Sequence, residues 1–132
     1  MLSSKVDNEL SEKIIGAFYK TYNALGFGYL EKVYLNALKY ELNKLGLKVE
    51  IQKPIKVYYE GLVIGEYFAD VMVNDRLIVE LKAVAALTLE HESQLFNYLK
   101  ATNTELGLLL NYGPKPEVRR KIWTETKKIN PC

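Results

Sequence analysis

The chain has 132 residues, 48% hydrophobic and 26% charged, with a formal net charge of +2. That length suits one domain spanning 1–132 with a buried core and is too short for two of ordinary size. Its single cysteine, Cys132, excludes an internal disulfide and a cysteine-based zinc site, and its longest apolar stretches fall far short of the roughly 20 residues that span a membrane.

The opening residues, MLSSKVDNELSEK, carry no apolar signal core, so a cytoplasmic protein is expected. No linker, low-complexity tract or repeat interrupts the chain. Leu10, Ile14, Phe18, Tyr22 and Leu25 recur at helical spacing and predict a helix over 8–25, with Asp7 or Asn8 as its cap. GFG at 26–28 breaks it. Leu30, Val33, Tyr34, Leu38, Leu42 and Leu45 resume the period and predict a second helix over 29–45, which Gly46 is placed to end.

The period then changes. Residues 49–61 are β-branched and aromatic, with Pro54 marking an edge or a bulge. A hairpin at Gly61 leads into a strand over 62–75, and 77–84 pairs next. Residues 90–102 read as a helix with Leu95 and Leu99 on one side. LGLLLNYG at 106–113 suits a buried central strand. Beyond Pro114 and Pro116, residues 117–123 are expected to form a short strand before a frayed basic tail. The expected class is α/β, a mixed β-sheet flanked by helices in the order α-α-β-β-β-α-β. Its core lies over 8–113 and a basic C-terminal segment over 114–132. Lys100, Arg119, Arg120 and Lys121 are candidates for contact with a nucleic-acid backbone, against the plainer reading of a solvated basic end.

The stretch DVMVNDRLIVELKAV at 70–84 places Asp70, Glu80 and Lys82 inside two apolar runs. Glu80 and Lys82 are two apart and share a strand face. A three-residue loop of Asn74, Asp75 and Arg76 sets Asp70 opposite Glu80; a two-residue loop would turn Glu80 away. The three-residue loop is the sharper expectation. It puts Val71, Val73, Leu77, Val79 and Leu81 on one face and Asp70, Met72, Ile78, Glu80 and Lys82 on the other, with both faces covered. Two facing carboxylates on a covered sheet repel and resist losing water. Lys82 offsets that as a simple ion pair, or a divalent cation does so better, since Mg²⁺ takes hard oxygen ligands.

Three further groups accompany them. Glu31 opens the second helix, where negative charge is favourable on its own account. Gln94 and Tyr98 project together from the later helix, and His91 lies one turn before Gln94. Each is comfortable as an ordinary polar surface, but the joint set is much rarer.

GYLEKVY at 28–34 fits a GxxExxY signature through Gly28, Glu31 and Tyr34. YFADVMVNDRLIVELKAV and HESQLFNYLKATNTELGLLLNYG match the blocks that follow it. Over roughly Leu10 to Gly113 the chain resembles the GxxExxY proteins, which are similar to the PD-(D/E)xK nuclease superfamily. Ala69 stands where that superfamily's name has Pro. The resemblance implies a restriction-endonuclease-like core and a metal-dependent phosphodiesterase site using Mg²⁺, or Mn²⁺. Asp70 and Glu80 would hold the metal, with Glu31 as a further ligand or a hold on a water there. Lys82 would orient and help deprotonate the attacking water. Gln94, Tyr98, Tyr34 and His91 would position the site or touch substrate, with DNA expected before RNA. Two other readings stay open: a nuclease fold kept as a binding module, and a protein-binding domain such as a homodimer.

Overall fold

A computed structural model describes residues 4–124. Two helices open the chain, α1 (Ser4–Leu25) and α2 (Glu31–Lys44). A long hairpin follows, β1 (Val49–Tyr59) and β2 (Leu62–Val73), then β3 (Leu77–Lys82). Helix α3 (Leu89–Lys100) leads to β4 (Leu106–Tyr112) and β5 (Pro116–Ile122). The five strands lie in the order β1-β2-β3-β4-β5. Only β3 and β4 run parallel, joined across the sheet by α3; the other neighbours are antiparallel. The sheet does not stop at Gly113: β5 pairs along the whole of β4, so the core extends past the expected limit, and the frayed tail expected beyond it lies outside the described residues. Pro54 is on β1, an edge strand, the kind of strand that tolerates a proline.

The alternation of side chains builds two cores. Ile14 and Phe18 of α1 and Leu38 of α2 pack on Val71, Val79, Leu108 and their neighbours. On the opposite face Leu95, Tyr98 and Leu99 of α3 pack on Met72, Ile78 and Leu109. Each such Leu, fully buried, contributes about 1.5–3 kcal/mol relative to exposure. Both faces are covered, as the apolar residues on each side require. Among the described residues no helix is long and apolar enough to cross a membrane.

Two local devices fix where the second helix begins and ends. The corner between α1 and α2 turns through Gly26 (φ +67°) and Gly28 (φ +118°), a region closed to most side chains. Tyr34 holds that corner: its hydroxyl donates to the Gly26 carbonyl at 2.7 Å and accepts from the Tyr29 N–H at 3.2 Å. At the other end Gly46 (φ +77°) terminates α2 in the left-handed conformation.

Candidate active site

The loop between β2 and β3 has three residues, with Asn74 and Asp75 at φ of 52° and 53°. Val73 pairs with Leu77, Met72 with Ile78 and Val71 with Val79. One step further in the same register, Asp70 meets Glu80, and there the ordinary ladder gives way. The Asp70 N–H donates to Glu80 Oε1 at 2.9 Å, and the Leu81 N–H donates to Asp70 Oδ2 at 2.8 Å. Each strand's backbone is thus satisfied by a carboxylate of the other, which wedges the two strands apart and leaves the acids between them.

Strand β1 takes part in the same distortion. Gln52 adopts φ +52°, a conformation that non-glycine residues hold only where the surroundings impose it. Its Nε2 reaches Asp70 Oδ1 at 3.5 Å. The pleat turns over at this point. Val71 faces α1 and α2, whereas Ala69, two residues earlier, packs with α3. This corrects the expected face assignment: Met72 and Ile78 do pack together beneath α3, but Asp70 sits at the switch and lines a cleft on the α2 side.

That cleft has a volume of about 410 Å³ and is lined by Glu31, Lys32 and Leu35 of α2, Gln52 of β1, Asp70 and Leu81. Glu80 lies deeper, only 4% exposed. Burial, and then the negative charge of Asp70 beside it, pushes the Glu80 carboxyl up to about 9; Lys82 offsets only part of this. Glu31 is also raised, first by burial and then by Asp70, against the pull of Lys82. Tyr98 follows the same field: burial, then Glu80 and Asp70, lifts its hydroxyl to about 12. Lys82 donates from Nζ to Gln94 Oε1 at 3.3 Å, so the simple Lys82–carboxylate pair gives way to an amine held by α3.

The helix that carries Gln94 is itself fixed at its start. Thr88 accepts from the His91 N–H at 3.3 Å, and the Thr88 N–H donates to His91 Nδ1 at 3.0 Å. This reciprocal cap satisfies two backbone donors and accounts for one nitrogen of His91. The segment after Lys82 is pinned by Asn111, whose Oδ1 accepts from the Val84 N–H and whose Nδ2 donates to the Val84 carbonyl, both at 3.0 Å. Gly113 completes the clamp, since a Cβ there would lie 2.3 Å from the Val84 carbonyl oxygen.

The structure therefore brings Asp70, Glu80, Lys82, Glu31, Gln94 and Tyr98 into one region. Tyr34 is fully buried and stacked on Tyr112 at 4.2 Å; it supports the corner before Glu31 and has no exposed surface to offer a substrate. The basic candidates lie elsewhere. Lys100 sits over the Trp123 ring at 4.8 Å. Arg119 pairs with Glu117 and Glu92, Lys121 with Glu92, and Arg120 donates to Asn8. These residues belong to α3 and the β5 edge, with acidic, amide or aromatic partners of their own. Sequence reasoning missed Gln52, Asn111 and Gly113. The lone Asn in the apolar run LGLLLNYG was the available signal for the second.

The donor chemistry fits a hard divalent cation. Two carboxyls, Asp70 and Glu80, are pressed together where water is scarce, and a cation reverses the penalty that raises Glu80. Among the described residues no group of three or more His, Cys, Asp or Glu side chains is drawn close enough to hold a metal ion. A pair of carboxyls is enough for a divalent cation that keeps several of its waters.

The switch in pleat sets the paired acids between the two strands, with Lys82 two residues beyond Glu80. The family model of the PD-(D/E)XK nuclease superfamily matches residues 8–121, and the chain belongs to that family. Among solved structures, the crystal structure of SSO0001 is similar at a TM-score of 0.53 and 18% identity over 92% of this chain. This chain spans 61% of that protein's length, and the likeness is one of fold. No protein of curated function matches the chain in sequence.

Proposed function

We propose that the chain is a Mg²⁺-dependent nuclease of the GxxExxY type that hydrolyses phosphodiester bonds in nucleic acid, DNA before RNA. The observation that carries this reading is the Asp70–Glu80 pair. Two carboxyls locked together by reciprocal backbone bonds, one of them pushed up to about 9, cost folding energy unless a cation joins them.

Asp70 and Glu80 would hold the metal, with Mn²⁺ as a substitute, and Glu31 would bind water on the α2 side of the cleft. When bound, the ion supplies charge relief on the phosphoryl oxygens and a more acidic attacking water. The chain's own groups do the rest. Lys82, kept in place by Gln94, orients the attacking water, assists loss of its proton, and sets a fixed positive charge where negative charge builds on phosphorus. Gln94 aims Lys82, and Tyr98 walls Glu80 from solvent and keeps its own proton at any working pH. His91 keeps Nε2 for a contact with substrate, its Nδ1 being used in the cap.

Calorimetric titration of Mg²⁺ and Mn²⁺ into wild type and Asp70→Ala, beside plasmid and oligonucleotide cleavage, tests this. Wild type is expected to bind the ion and cleave, and Asp70→Ala to do neither while keeping its fold. A folded wild type that binds nucleic acid and never cleaves in either metal would instead make the chain a non-catalytic binding module.

A further inference from the structure

The hairpin β1–β2 runs well past the strands beside it. Beyond the pleat switch its odd-numbered residues face the α3 side: Ile55 and Ala69 are buried there with Tyr98. Tyr67, cross-strand from Ile55, comes next. Its ring lies 5.3 Å from that of Tyr98 at an angle of 48°, yet the residue remains 40% exposed. Helix α3 packs chiefly on β4 and β5, and Tyr67 lies at the margin of what it covers. Tyr67 is three residues before Asp70, roughly 10 Å along the strand.

The next residue on this face is Gly65, paired with Val57. A Cβ at Gly65 would meet nothing closer than Val57 at 3.8 Å, and Gly65 is not among the glycines with positive φ. The β1–β2 register shifts between Val57 and Tyr58, opposite Gly65, so the glycine stands at a bulge and leaves main chain uncovered next to Tyr67. Bare main chain inside a strand marks a place where a ligand can lie close.

An exposed ring braced from behind and a bare strip beside it suit a flat aromatic ligand; they lie on the α3 side, about 10 Å along the strand from Asp70, which opens to the cleft on the α2 side. We propose that Tyr67, backed by Tyr98, and the strip at Gly65 form a stacking seat for an unpaired base, which makes single-stranded nucleic acid the substrate class. The inference rests on the nuclease reading and deepens it. Bases within a duplex already stack on one another, whereas unpaired bases are free to stack on protein rings.

The test is fluorescence anisotropy in EDTA, where binding is read without cleavage. Three probes are used: a labelled single-stranded oligonucleotide, the matched duplex, and the same single strand carrying abasic residues. The intact single strand should bind wild type about tenfold or more tightly than the abasic strand or the duplex, as expected for stacking of a base on an aromatic ring. Tyr67→Ala should lose that advantage on the intact strand and nothing further on the abasic one. Tyr67→Phe should retain it. Gly65→Leu, whose Cβ meets no atom closer than 3.8 Å, should lose it while still melting cooperatively.

Equal affinity of wild type and Tyr67→Ala for the intact strand overturns the proposal, as does duplex bound as tightly as single strand. Variants that change the sedimenting mass and leave affinity alone also overturn it, and make the hairpin a contact between copies of the chain. The nuclease reading is judged separately, by cleavage in Mg²⁺. A chain that cleaves duplex as fast as single strand loses the seat and keeps the nuclease.

Discussion

Replacing Glu80 by Gln isolates the electrostatic strain on which the functional reading turns. The amide keeps an oxygen for the Asp70 N–H and removes the charge. In the folded protein the Glu80 carboxyl holds its proton up to about 9, whereas an unfolded chain releases it near the ordinary value of 4.5. Between those limits the folded state binds more protons, so metal-free stability falls as pH rises and levels off above about 9. Each pH unit costs about 1.4 kcal/mol for one fully shifted group. From pH 5 to pH 8 the loss is therefore about 4 kcal/mol, or about 10 °C or more in Tm for a domain of this size. Glu31 is raised too and acts in the same direction. Glu41, Asp75 and Glu117 are lowered by their partners, so their contributions are lost only as the pH falls below the ordinary carboxylate range and stay constant here. Thermal melts in EDTA at pH 5, 6, 7 and 8 should show wild type losing Tm steeply and Glu80→Gln keeping only the shallower slope that Glu31 contributes. Parallel curves for the two proteins would refute the strain argument.

Lys82→Ala should leave the fold intact and lower the Mg²⁺-dependent cleavage rate by about a hundredfold or more, the scale of removing one group that stabilises transition-state charge; single-turnover assays read it. Gly113→Ala forces a Cβ against the Val84 carbonyl and should cost about 1–3 kcal/mol, seen as a lower denaturation midpoint in urea. Tyr34→Phe removes the hydroxyl that the Gly26 carbonyl and Tyr29 N–H share; it should cost about 1–3 kcal/mol, and hydrogen exchange should show faster opening at the 26–30 corner than elsewhere. Mg²⁺ at pH 8 should raise the Tm of wild type and leave that of Asp70→Ala unchanged, since a ligand stabilises only the state that binds it.

The helices, the first four strands and the facing of Asp70 with Glu80 were legible because each follows from a short-range rule. Apolar spacing gave α1 and α2, Gly61 gave the hairpin, and the loop at 74–76 fixed the register that sets 70 opposite 80. The pleat switch was not legible. It depends on Gln52 holding a left-handed backbone, which nothing in VEIQKP announces, and it moves Asp70 from an ordinary strand face to the cleft. The basic residues of β5 read in sequence as candidates for phosphate, but Glu92 and Glu117 engage Arg119, and Glu92 engages Lys121, a pairing between α3 and β5 that no local pattern encodes. Asn111 was hidden for a similar reason: its partners at Val84 are 27 residues away. Tyr67 looked like one aromatic among ten tyrosines until the fold left it open beside Tyr98.

The paired acids at 70 and 80, with the amine of 82, are tested most directly by single-turnover hydrolysis of a labelled oligonucleotide in Mg²⁺ and again in excess EDTA, for wild type and Asp70→Ala. Cleavage by wild type in Mg²⁺ alone, and none by the folded variant, is the expected result. Hydrolysis that continues undiminished in EDTA, or in Asp70→Ala, would contradict it.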